Sequence, residues 1–374
     1  MIVAGLNRYN QLDEKSNSKN AYDYPTIIPP LKSHIDVSTI ISFATYSQHS
    51  VWITNDGKAY AIGDNTDGRI SSSLPKKQLN EETEIEIKGK DGNLCKFISV
   101  VCGAFYTLYQ VSSQSYADRS QLVYAHKGEK QIFLDLNGRK PLALFGGRET
   151  AAIIDSNGGI IIITKIIFDL HTLELKSAFL PNDDKPIKLA CCNKFVIALG
   201  ASGHIYQSGY PKTGILGFKL VKELSSKLFV DVSGTFHHCF AVSKDGKVYG
   251  RGNNAYCILG ISKKTAKTDK FKEIKSLSTH KIVEAYAGYS HSLFKTKKGK
   301  LYACGWNYSG EVKLDYILGK EIVYPPAKMP IKGAVNFCSA GESSNIFFVD
   351  CEPPSNTPNK KINMPLFWAM KKNL

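Results

Sequence analysis

Short apolar runs separated by tight polar turns recur along the chain. A clear example is HCFAVSKDGKVYGRGN at residues 238–253, where two such runs flank an Asp-Gly pair. Runs of this length, alternating or wholly apolar, indicate β-strands, and a Gly in the intervening turn indicates a tight hairpin. The pattern therefore predicts an all-β chain, with the apolar stretch GGIIIITKIIF at residues 158–168 as a buried strand. The corresponding turns are Asp56-Gly57, Asn157-Gly158, Ser202-Gly203, Asp245-Gly246 and Lys298-Gly299.

The hairpins belong to a repeat whose copies each begin at an anchor residue. The anchors are His49, Tyr106, Thr150, Phe195, His238, His291 and Ser344. In the clearest copies a first Gly, a second Gly and an Asn follow the anchor at fixed spacing. These residues are Gly57, Gly63 and Asn65, then Gly246, Gly252 and Asn254, then Gly299, Gly305 and Asn307. Seven copies at a roughly constant interval indicate a repeat fold.

Each repeated residue type has a structural explanation. We expect the first Gly of a copy to take a positive φ in its hairpin, and the second Gly to lie where backbones meet near a crowded axis. The Asn is expected to bond backbone groups in the loop that leaves the strand. The His anchors are expected to pack inside their own sheets and bond backbone. A ring of metal-binding side chains at this position would not include the Tyr, Thr, Phe or Ser found there in other copies.

The two ends of the chain complement each other. The seventh copy stops after its first half, and the start of the chain supplies the missing half, with Gly5 and Asn7 followed by Gln11-Leu12. A ring closed by its own N-terminal segment accounts for both ends. Closure would also remove the exposed sheet edges that an open array leaves.

At these residues the chain resembles the regulator of chromosome condensation repeat family. The similarity is clearest in AGYSHSLFKTKKGKLYACGWNYSGEV (287–312) and in GLNRYNQL (5–12), which matches the family's closing half-repeat. The resemblance implies a seven-bladed β-propeller of four-stranded antiparallel blades over residues 1–350, closed by the N-terminal strand. The chain departs from the family pattern at Tyr46 and Cys192, which stand where a Gly is expected.

Charge and cysteine content limit the classes of function. The 374 residues carry a formal net charge of +15, which favours an acidic partner such as nucleic acid, an anionic membrane or an acidic protein face. A solvated Lys-rich surface is the simpler explanation of the same charge. The nine Cys show no metal-binding spacing, and their odd number favours a reducing compartment, so we expect an intracellular protein, cytoplasmic or nuclear. No cofactor, metal site, signal peptide or transmembrane segment is predicted.

Three segments are candidates for contact with a partner. The loop SSQSYADRSQ (112–121) is longer than its counterparts and could protrude as a finger, with Ser112, Tyr116, Asp118 and Arg119. A basic inter-blade loop at residues 263–275 contains Lys263, Lys264, Lys267, Lys270, Lys272 and Lys275. Residues 351–374 form a Pro-rich linker and a short amphipathic tail that carries Phe367 and Trp368. The alternative for each is structural: a tolerated surface loop, a solvated loop, or a tail folded back on the propeller.

The sequence is therefore interpreted as a monomeric, non-enzymatic propeller that binds a protein partner through its loops. The founding member of the family is a guanine-nucleotide exchange factor for the small GTPase Ran and is bound to chromatin. The resemblance thus leaves two alternatives open. One is nucleotide exchange on a Ran-like GTPase, with loop 112–121 as the wedge. The other is chromatin or nucleic-acid binding through the basic loop. The acidic stretch EETEIE (81–86) favours a protein partner over DNA if it shares a rim with that loop.

Overall fold

The computed structural model describes residues 2–6, 21–27, 39–113, 120–126, 132–164, 174–193, 195–209, 217–307, 312, 321–341 and 344–350. Within these ranges the regular structure consists of β-strands and short 3-10 turns. Some of the residues singled out above lie outside the described residues, as does the whole of segment 351–374. They are Asn7, Gln11, Leu12, Tyr116, Asp118, Arg119, Phe367 and Trp368.

The strands are numbered in chain order. The first fourteen are β1 (Ile2–Leu6), β2 (Ala21–Ile27), β3 (Ile40–Tyr46), β4 (His49–Thr54), β5 (Ala59–Asp64), β6 (Gln78–Ile85), β7 (Lys96–Cys102), β8 (Tyr106–Ser112), β9 (Gln121–His126), β10 (Ile132–Leu134), β11 (Pro141–Gly146), β12 (Ala151–Asp155), β13 (Ile160–Thr164) and β14 (Glu174–Ala178). The others are β15 (Pro186–Cys191), β16 (Phe195–Gly200), β17 (Ile205–Gly209), β18 (Lys219–Leu220), β19 (Phe229–Gly234), β20 (His238–Ser243), β21 (Val248–Asn253), β22 (Lys267–Glu273), β23 (Ile282–Ala287), β24 (His291–Thr296), β25 (Leu301–Trp306), β26 (Ile322–Lys328), β27 (Ala334–Ala340) and β28 (Ser344–Asp350). The 3-10 turns are Pro181–Asp183, Lys222–Leu224, Ala255–Cys257 and Lys275–Leu277.

Among the described residues these strands form four-stranded antiparallel sheets. Sheets 1 to 6 take four consecutive strands each, from β3–β6 through β23–β26, and sheet 7 has the order β2-β1-β28-β27. The predicted all-β class and the four-stranded antiparallel sheets are confirmed. The closed seven-bladed ring stays a prediction. It is supported by the pairing of β1 with β28 and by the contact of β27 with β3.

The second strands of the sheets are the most buried. Every residue of β4, β20 and β24 is buried, because each of these strands lies within a sheet that packs between two neighbours. The predicted strand in the isoleucine run is present as β13, and its four isoleucines have no exposed surface. Burial on both faces of a sheet is why these runs are wholly apolar instead of alternating.

The first strands of the sheets lie innermost and contact one another in chain order, from β3 and β7 onward to β23 and β27. Side chains on these strands link one sheet to the next. The Ser42 hydroxyl accepts a hydrogen bond from the Val100 N–H at 3.2 Å, and the Asp231 carboxylate accepts one from the Ala285 N–H at 3.0 Å. These links join inner strands that belong to different sheets.

The hairpin glycines have the predicted conformation. Gly57, Gly246 and Gly299 have φ of +85°, +88° and +74°, a region that favours residues without a Cβ. The structure adds a second reason for Gly. A Cβ on Gly246 would lie 2.8 Å from the Cα of Lys281, where the next sheet begins. The Gly246 carbonyl also accepts a hydrogen bond from the Ile282 N–H of that sheet at 3.1 Å.

The prediction that the second glycines lie near the central axis is wrong. Gly63, Gly252 and Gly305 lie in third strands, two strands away from the innermost one. Close backbone approach is nevertheless the reason for Gly, since a Cβ on Gly252 would lie 2.3 Å from the carbonyl oxygen of His237 in its own sheet. The three residues have φ between +108° and +117°.

The repeated asparagines bond backbone groups, as predicted. The Asn254 side-chain amide donates to the carbonyls of Ser262 and Thr265, and its side-chain oxygen accepts from the Leu259 N–H. Asn65 makes the same kind of contacts in sheet 1, and Asn307 accepts a hydrogen bond from the Val312 N–H. One side chain thus organises the loop between a third and a fourth strand.

The prediction that the His anchors bond backbone within their own sheets is wrong for the two whose partners are defined. His49 Nε2 lies 2.9 Å from the Thr107 hydroxyl oxygen of sheet 2, and His238 Nε2 lies 3.0 Å from the Ser292 hydroxyl oxygen of sheet 6. In both cases the hydroxyl residue directly follows the anchor of the next copy. The His anchor is therefore a link between copies.

Candidate partner-binding face

The propeller presents two ends with different surfaces. Because the strands of each sheet alternate in direction, the turns between first and second strands share one end with the connections from third to fourth strands. We call this end the turn face. The hairpins between second and third strands share the opposite end with the connections between sheets, and we call it the hairpin face.

At the turn face a tyrosine side chain links two inner strands. Tyr46 ends the innermost strand of sheet 1, and its hydroxyl lies 3.2 Å from the hydroxyl of Thr235 in sheet 5. Sheets 1 and 5 are not neighbours, so this side chain crosses the space between the inner strands. Tyr46 is one of the two positions where the repeat family has Gly, and a Gly there would leave the centre unfilled.

An arginine and aromatic rings lie at the same end, contributed by sheets 3, 5 and 6. The Arg148 guanidinium carbon lies 4.7 Å from the centre of the Phe236 ring and 5.3 Å from the centre of the Tyr289 ring. His237 contacts both rings, with centroid distances of 4.3 and 5.4 Å. All four side chains are half-buried. We call Arg148, Phe236, His237 and Tyr289 the Arg148 cluster.

The charge of Arg148 is only partly compensated. One guanidinium nitrogen lies 3.1 Å from the Glu149 carboxylate, whereas the buried Nε has no hydrogen-bond partner among the described residues. Burial and, to a lesser extent, the nearby guanidinium lower the pKa of His237. The cluster therefore presents one positive charge held against neutral rings, a cation–π arrangement.

The repeat architecture holds this cluster in position. The hydroxyl of the buried anchor Tyr106 donates to the carbonyls of Gly147 and Thr150, the two ends of the turn that carries Arg148. The Arg148 carbonyl in turn accepts a hydrogen bond from the Ala104 N–H of sheet 2 at 2.8 Å. Gly147 is required because a Cβ there would lie 2.4 Å from the carbonyl oxygen of Cys191.

Further aromatic surface lies away from the centre of the turn face. The rings of Tyr256 and Trp306 are 4.5 Å apart, and Tyr256 is 49% exposed. Arg69, in the connection that follows the third strand of sheet 1, donates to the carbonyl of Ala104, and its guanidinium carbon lies 5.9 Å from the centre of the Phe105 ring. The turn face thus carries aromatic side chains and arginines in several sheets.

The basic segment 263–275 is not the inter-blade loop that the sequence suggested. Most of it forms β22, the outermost strand of sheet 5, which is followed by the 3-10 turn Lys275–Leu277. All six lysines of the segment are exposed, but Lys267 lies 2.9 Å from Asp269. Phe271 is buried against the Arg251 guanidinium at 4.7 Å, so it cannot act as a base-stacking platform.

The other predicted segments are only partly described. Ser112 ends β8 and Gln121 begins β9, so the finger segment connects the second and third strands of sheet 2 on the hairpin face. The acidic stretch 81–86 lies mainly in β6, the outer strand of sheet 1. The basic segment lies in the corresponding outer strand of sheet 5, which is not adjacent to sheet 1.

The Arg148 cluster was not predicted, although the sequence holds a signal for it. Its members occupy the two positions directly before the anchor, which differ from copy to copy: Ser47-Gln48, Ala104-Phe105, Arg148-Glu149, Phe236-His237 and Tyr289-Ser290. These positions lie in the turn between the first and second strands, at the end of the sheet, where loops commonly carry binding residues. Within the described ranges, no three His, Cys, Asp or Glu side chains are grouped to hold a metal ion. Nor do these ranges contain a helix long and apolar enough to cross a membrane.

Comparison with known proteins agrees with this architecture. Residues 282–311 match the Regulator of chromosome condensation (RCC1) repeat. The crystal structure of Prp20p from Saccharomyces cerevisiae superimposes with a TM-score of 0.73 at 14% identity, over 92% of this chain and 90% of that one. The family resemblance inferred from the anchors and glycines is thereby confirmed.

Two curated proteins with RCC1-type similarity match parts of the chain. The ultraviolet-B receptor UVR8 of Arabidopsis thaliana is 25% identical over 172 residues, which are 44% of this chain and 38% of that protein. The guanine nucleotide exchange factor SRM1 of Saccharomyces cerevisiae is 23% identical over 290 residues, 72% of this chain and 57% of that protein. The chain thus spans less than two thirds of the length of either relative.

Proposed function

We propose that this chain is a non-enzymatic RCC1-type propeller, formed by residues 1–350, that binds a protein partner through its turn face. The observation that carries the proposal is the Arg148 cluster at the centre of that face. Arginine and aromatic side chains dominate the binding energy of protein interfaces, most strongly when they lie centrally and are partly buried before the partner arrives. The Arg148 cluster has both properties.

The cluster is also organised in advance. The turn that carries Arg148 is fixed by hydrogen bonds from Tyr106 and Ala104, so this turn has little conformational entropy left to lose on binding. The exposed part of the Arg148 guanidinium could donate to a partner carbonyl or carboxylate. A hydrogen bond from a charged donor contributes about 1.5–3 kcal/mol when it replaces an unpaired state.

The comparisons support a class of partner. SRM1 is a guanine nucleotide exchange factor by name, and the Prp20p structure was described together with binding to Gsp1p and histones. We therefore place a small GTPase of the Ran class first and histones second as partners, in the cytoplasm or nucleus.

The test is direct binding of the full chain to an immobilised Ran-class GTPase and to immobilised histones. We expect Arg148→Ala and Phe236→Ala to weaken binding at least tenfold, and Arg148→Lys, which keeps the charge but not the planar guanidinium, to weaken it less. Leu142→Ala, an exposed residue at the hairpin-face end of β11, is the matched control and should bind normally. Equal affinities for all four variants at unchanged thermal stability would contradict the proposal.

Nucleotide exchange is the second candidate function, favoured by the similarity to SRM1 over most of the chain. In this case a GTPase held by the propeller would have its phosphate-binding region displaced by the segment between Ser112 and Gln121. That segment connects strands on the hairpin face, so it could reach a GTPase bound there, and the exchange hypothesis therefore predicts a different contact face.

Release of a fluorescent guanine nucleotide from the GTPase separates the two candidates. If the chain is an exchange factor, release accelerates a hundredfold or more, and replacing residues 113–120 by an Asp-Gly hairpin abolishes the acceleration. Replacing residues 89–92, a turn of similar position in the connection from β6 to β7, is the control. Tight binding without acceleration would leave the partner-binding function and remove the exchange function.

A further inference from the structure

A cavity of about 1030 Å³ opens at the hairpin face and is lined by residues of sheets 4, 5, 6 and 7. Its inner wall is aliphatic and includes Ile187, Val230 and Val283, which are bulge residues of the innermost strands β15, β19 and β23. Leu228, which is 45% exposed, stands at its edge. The volume is at the upper end of the range of small-molecule and peptide pockets.

Four exposed lysines surround the mouth of this cavity: Lys244, Lys281, Lys297 and Lys298. We call the cavity and these residues the lysine cavity. Lys244 belongs to the hairpin of sheet 5, and the other three lysines belong to sheet 6. The hairpin of sheet 5 contacts the start of sheet 6, which brings the four lysines together. Gly246, two residues after Lys244, packs on Lys281, and the Lys297 N–H donates to the Lys281 carbonyl at 3.2 Å. The charges therefore converge because neighbouring sheets contact through their hairpins.

The positive charge at the mouth is not neutralised within the part of the chain that the structure describes. None of the four lysines forms an ion pair there. The nearby Asp245 accepts a hydrogen bond from the Ser243 hydroxyl and lies 3.7 Å from Lys247. Asp245 adds one negative charge to the mouth, which Lys247 offsets in part, so four lysines still outnumber the acid.

The charges deeper in the wall pair with one another. In the lining, Lys295 lies 2.7 Å from Glu284, and behind the lining the ammonium of Lys188 contacts the Asp231 carboxylate. Neither acid is left over to balance the mouth. The four lysines therefore remain as an excess of positive charge over an aliphatic interior.

The lysines and the aliphatic wall share one opening, at the hairpin face. At the other end of the ring the Tyr46 side chain reaches Thr235, and the Arg148 cluster lies at the same end. A ligand must therefore enter past the lysines and lie against the aliphatic wall. The site requires both negative charge and apolar groups from its ligand.

We propose that the lysine cavity is a second binding site, which takes an acidic peptide segment of a partner protein. Its carboxylates would contact the four lysines, and an aliphatic side chain would enter against Val230 and Val283. Nucleic acid fits less well, because the cavity lining has no arginine fork and no exposed aromatic ring on which a base could stack. The site lies on the face opposite the Arg148 cluster and does not depend on the function proposed for that cluster.

The test uses the full chain and a fluorescein-labelled twelve-residue peptide of glutamates with two central leucines, followed by anisotropy at 50 mM and 300 mM salt. We expect binding that weakens with salt, as exposed charges are screened. Lys281→Glu/Lys298→Glu should weaken it at least tenfold. Lys264→Glu/Lys270→Glu, which reverses two exposed lysines of sheet 5 away from the cavity, should leave it within twofold. Val283→Asp should weaken it as well, because the aliphatic wall is lost.

Four results would overturn the proposal. The first is no binding of the peptide at 50 mM salt, and the second is an equal loss of affinity in both double variants. The third is an all-glutamate peptide that binds as tightly as the leucine-containing one. The fourth is a 20-nucleotide DNA that binds more tightly than the peptide and depends in the same way on Lys281 and Lys298. Circular dichroism and thermal unfolding of each variant establish that it is folded. Arg148→Ala is expected to bind the peptide normally, so failure here is distinguishable from failure at the turn face.

Discussion

The His49 and His238 anchors each contact a hydroxyl group of the next copy of the repeat. The sequence shows that the position accepts His, Tyr, Thr, Phe or Ser, and this correctly indicates a structural role. It does not show that His49 and His238 bond a hydroxyl of the next copy, because that hydroxyl lies 58 and 54 residues away in the chain. The pairing could be seen only once the sheets were arranged side by side.

The neutral state of these histidines makes stability depend on pH. Burial, followed by the charge of Arg69, lowers the pKa of His49 from 6.5 to about 3. Burial, followed by His291 and His237, lowers the pKa of His238 to about 3. Below pH 6.5 the unfolded chain therefore binds protons that the folded chain does not. The contribution of the neutral state is fully present above pH 6.5 and is lost progressively as the pH falls toward 3.

We predict that each histidine contributes up to about 1.4 kcal/mol per pH unit to the loss of stability below pH 6.5. Urea unfolding at pH 7.5, 6.0 and 5.0 measures this slope. His238→Ala should be less stable at pH 7.5 and should show a shallower decrease toward pH 5.0. His204→Ala, in a surface hairpin, is the control. A slope that is unchanged in both His49→Ala and His238→Ala would show that these histidines are protonated in the folded chain.

At the scale of single elements, the sequence predicts second and third strands well and fourth strands poorly. The inner strands are bounded by an anchor and by Gly at fixed spacing, and their apolar content is enforced by burial on both faces. The outer strand β22 is exposed along most of its length, with only Thr268 and Phe271 buried. The pairing of β21 with β22 changes register between Gly250 and Gly252, which interrupts the alternation of buried and exposed residues in β22. The spacing of the lysines in this segment is therefore more typical of a loop than of a strand.

The N-terminal strand provides the sharpest test of the predicted closure. Val3 pairs with Thr26 of β2 on one side and with Ile346 of β28 on the other, so β1 lies inside its sheet. Outer strands of this fold accept proline, as β26 does at Pro325 and Pro326, because one edge is free. An internal strand should not accept it.

We predict that Val3→Pro lowers the free energy of unfolding by roughly 3 kcal/mol or more, since it removes a backbone donor inside the sheet. Val3→Thr is the matched control, because it keeps the N–H and the branched side chain. Chemical unfolding followed by tryptophan fluorescence measures both. Equal stability of the two variants would mean that the N-terminal strand does not complete the seventh sheet.

At the scale of the whole molecule, the sequence predicts the repeat and hence the sheets, but not what lies across the ring. Tyr46 and Thr235 are 189 residues apart, and the Arg148 cluster draws on three sheets. The pattern within one copy marks the variable positions before the anchor, but it does not indicate which copies come into contact across the sheets. The sequence shows that Tyr46 stands where the family has Gly. It does not show that Tyr46 contacts Thr235 at the turn face, because that contact depends on how the sheets are arranged.

The central claim is that the partner covers the turn face. Hydrogen exchange followed by mass spectrometry, with the chain free and bound to the partner that shows affinity in the binding test, measures this most directly. We predict slower exchange on binding in the turns at residues 147–150, 235–237 and 288–290, with the hairpins at 244–247 and 297–300 unchanged. Slower exchange confined to those hairpins would contradict the claim and would place the partner on the opposite face.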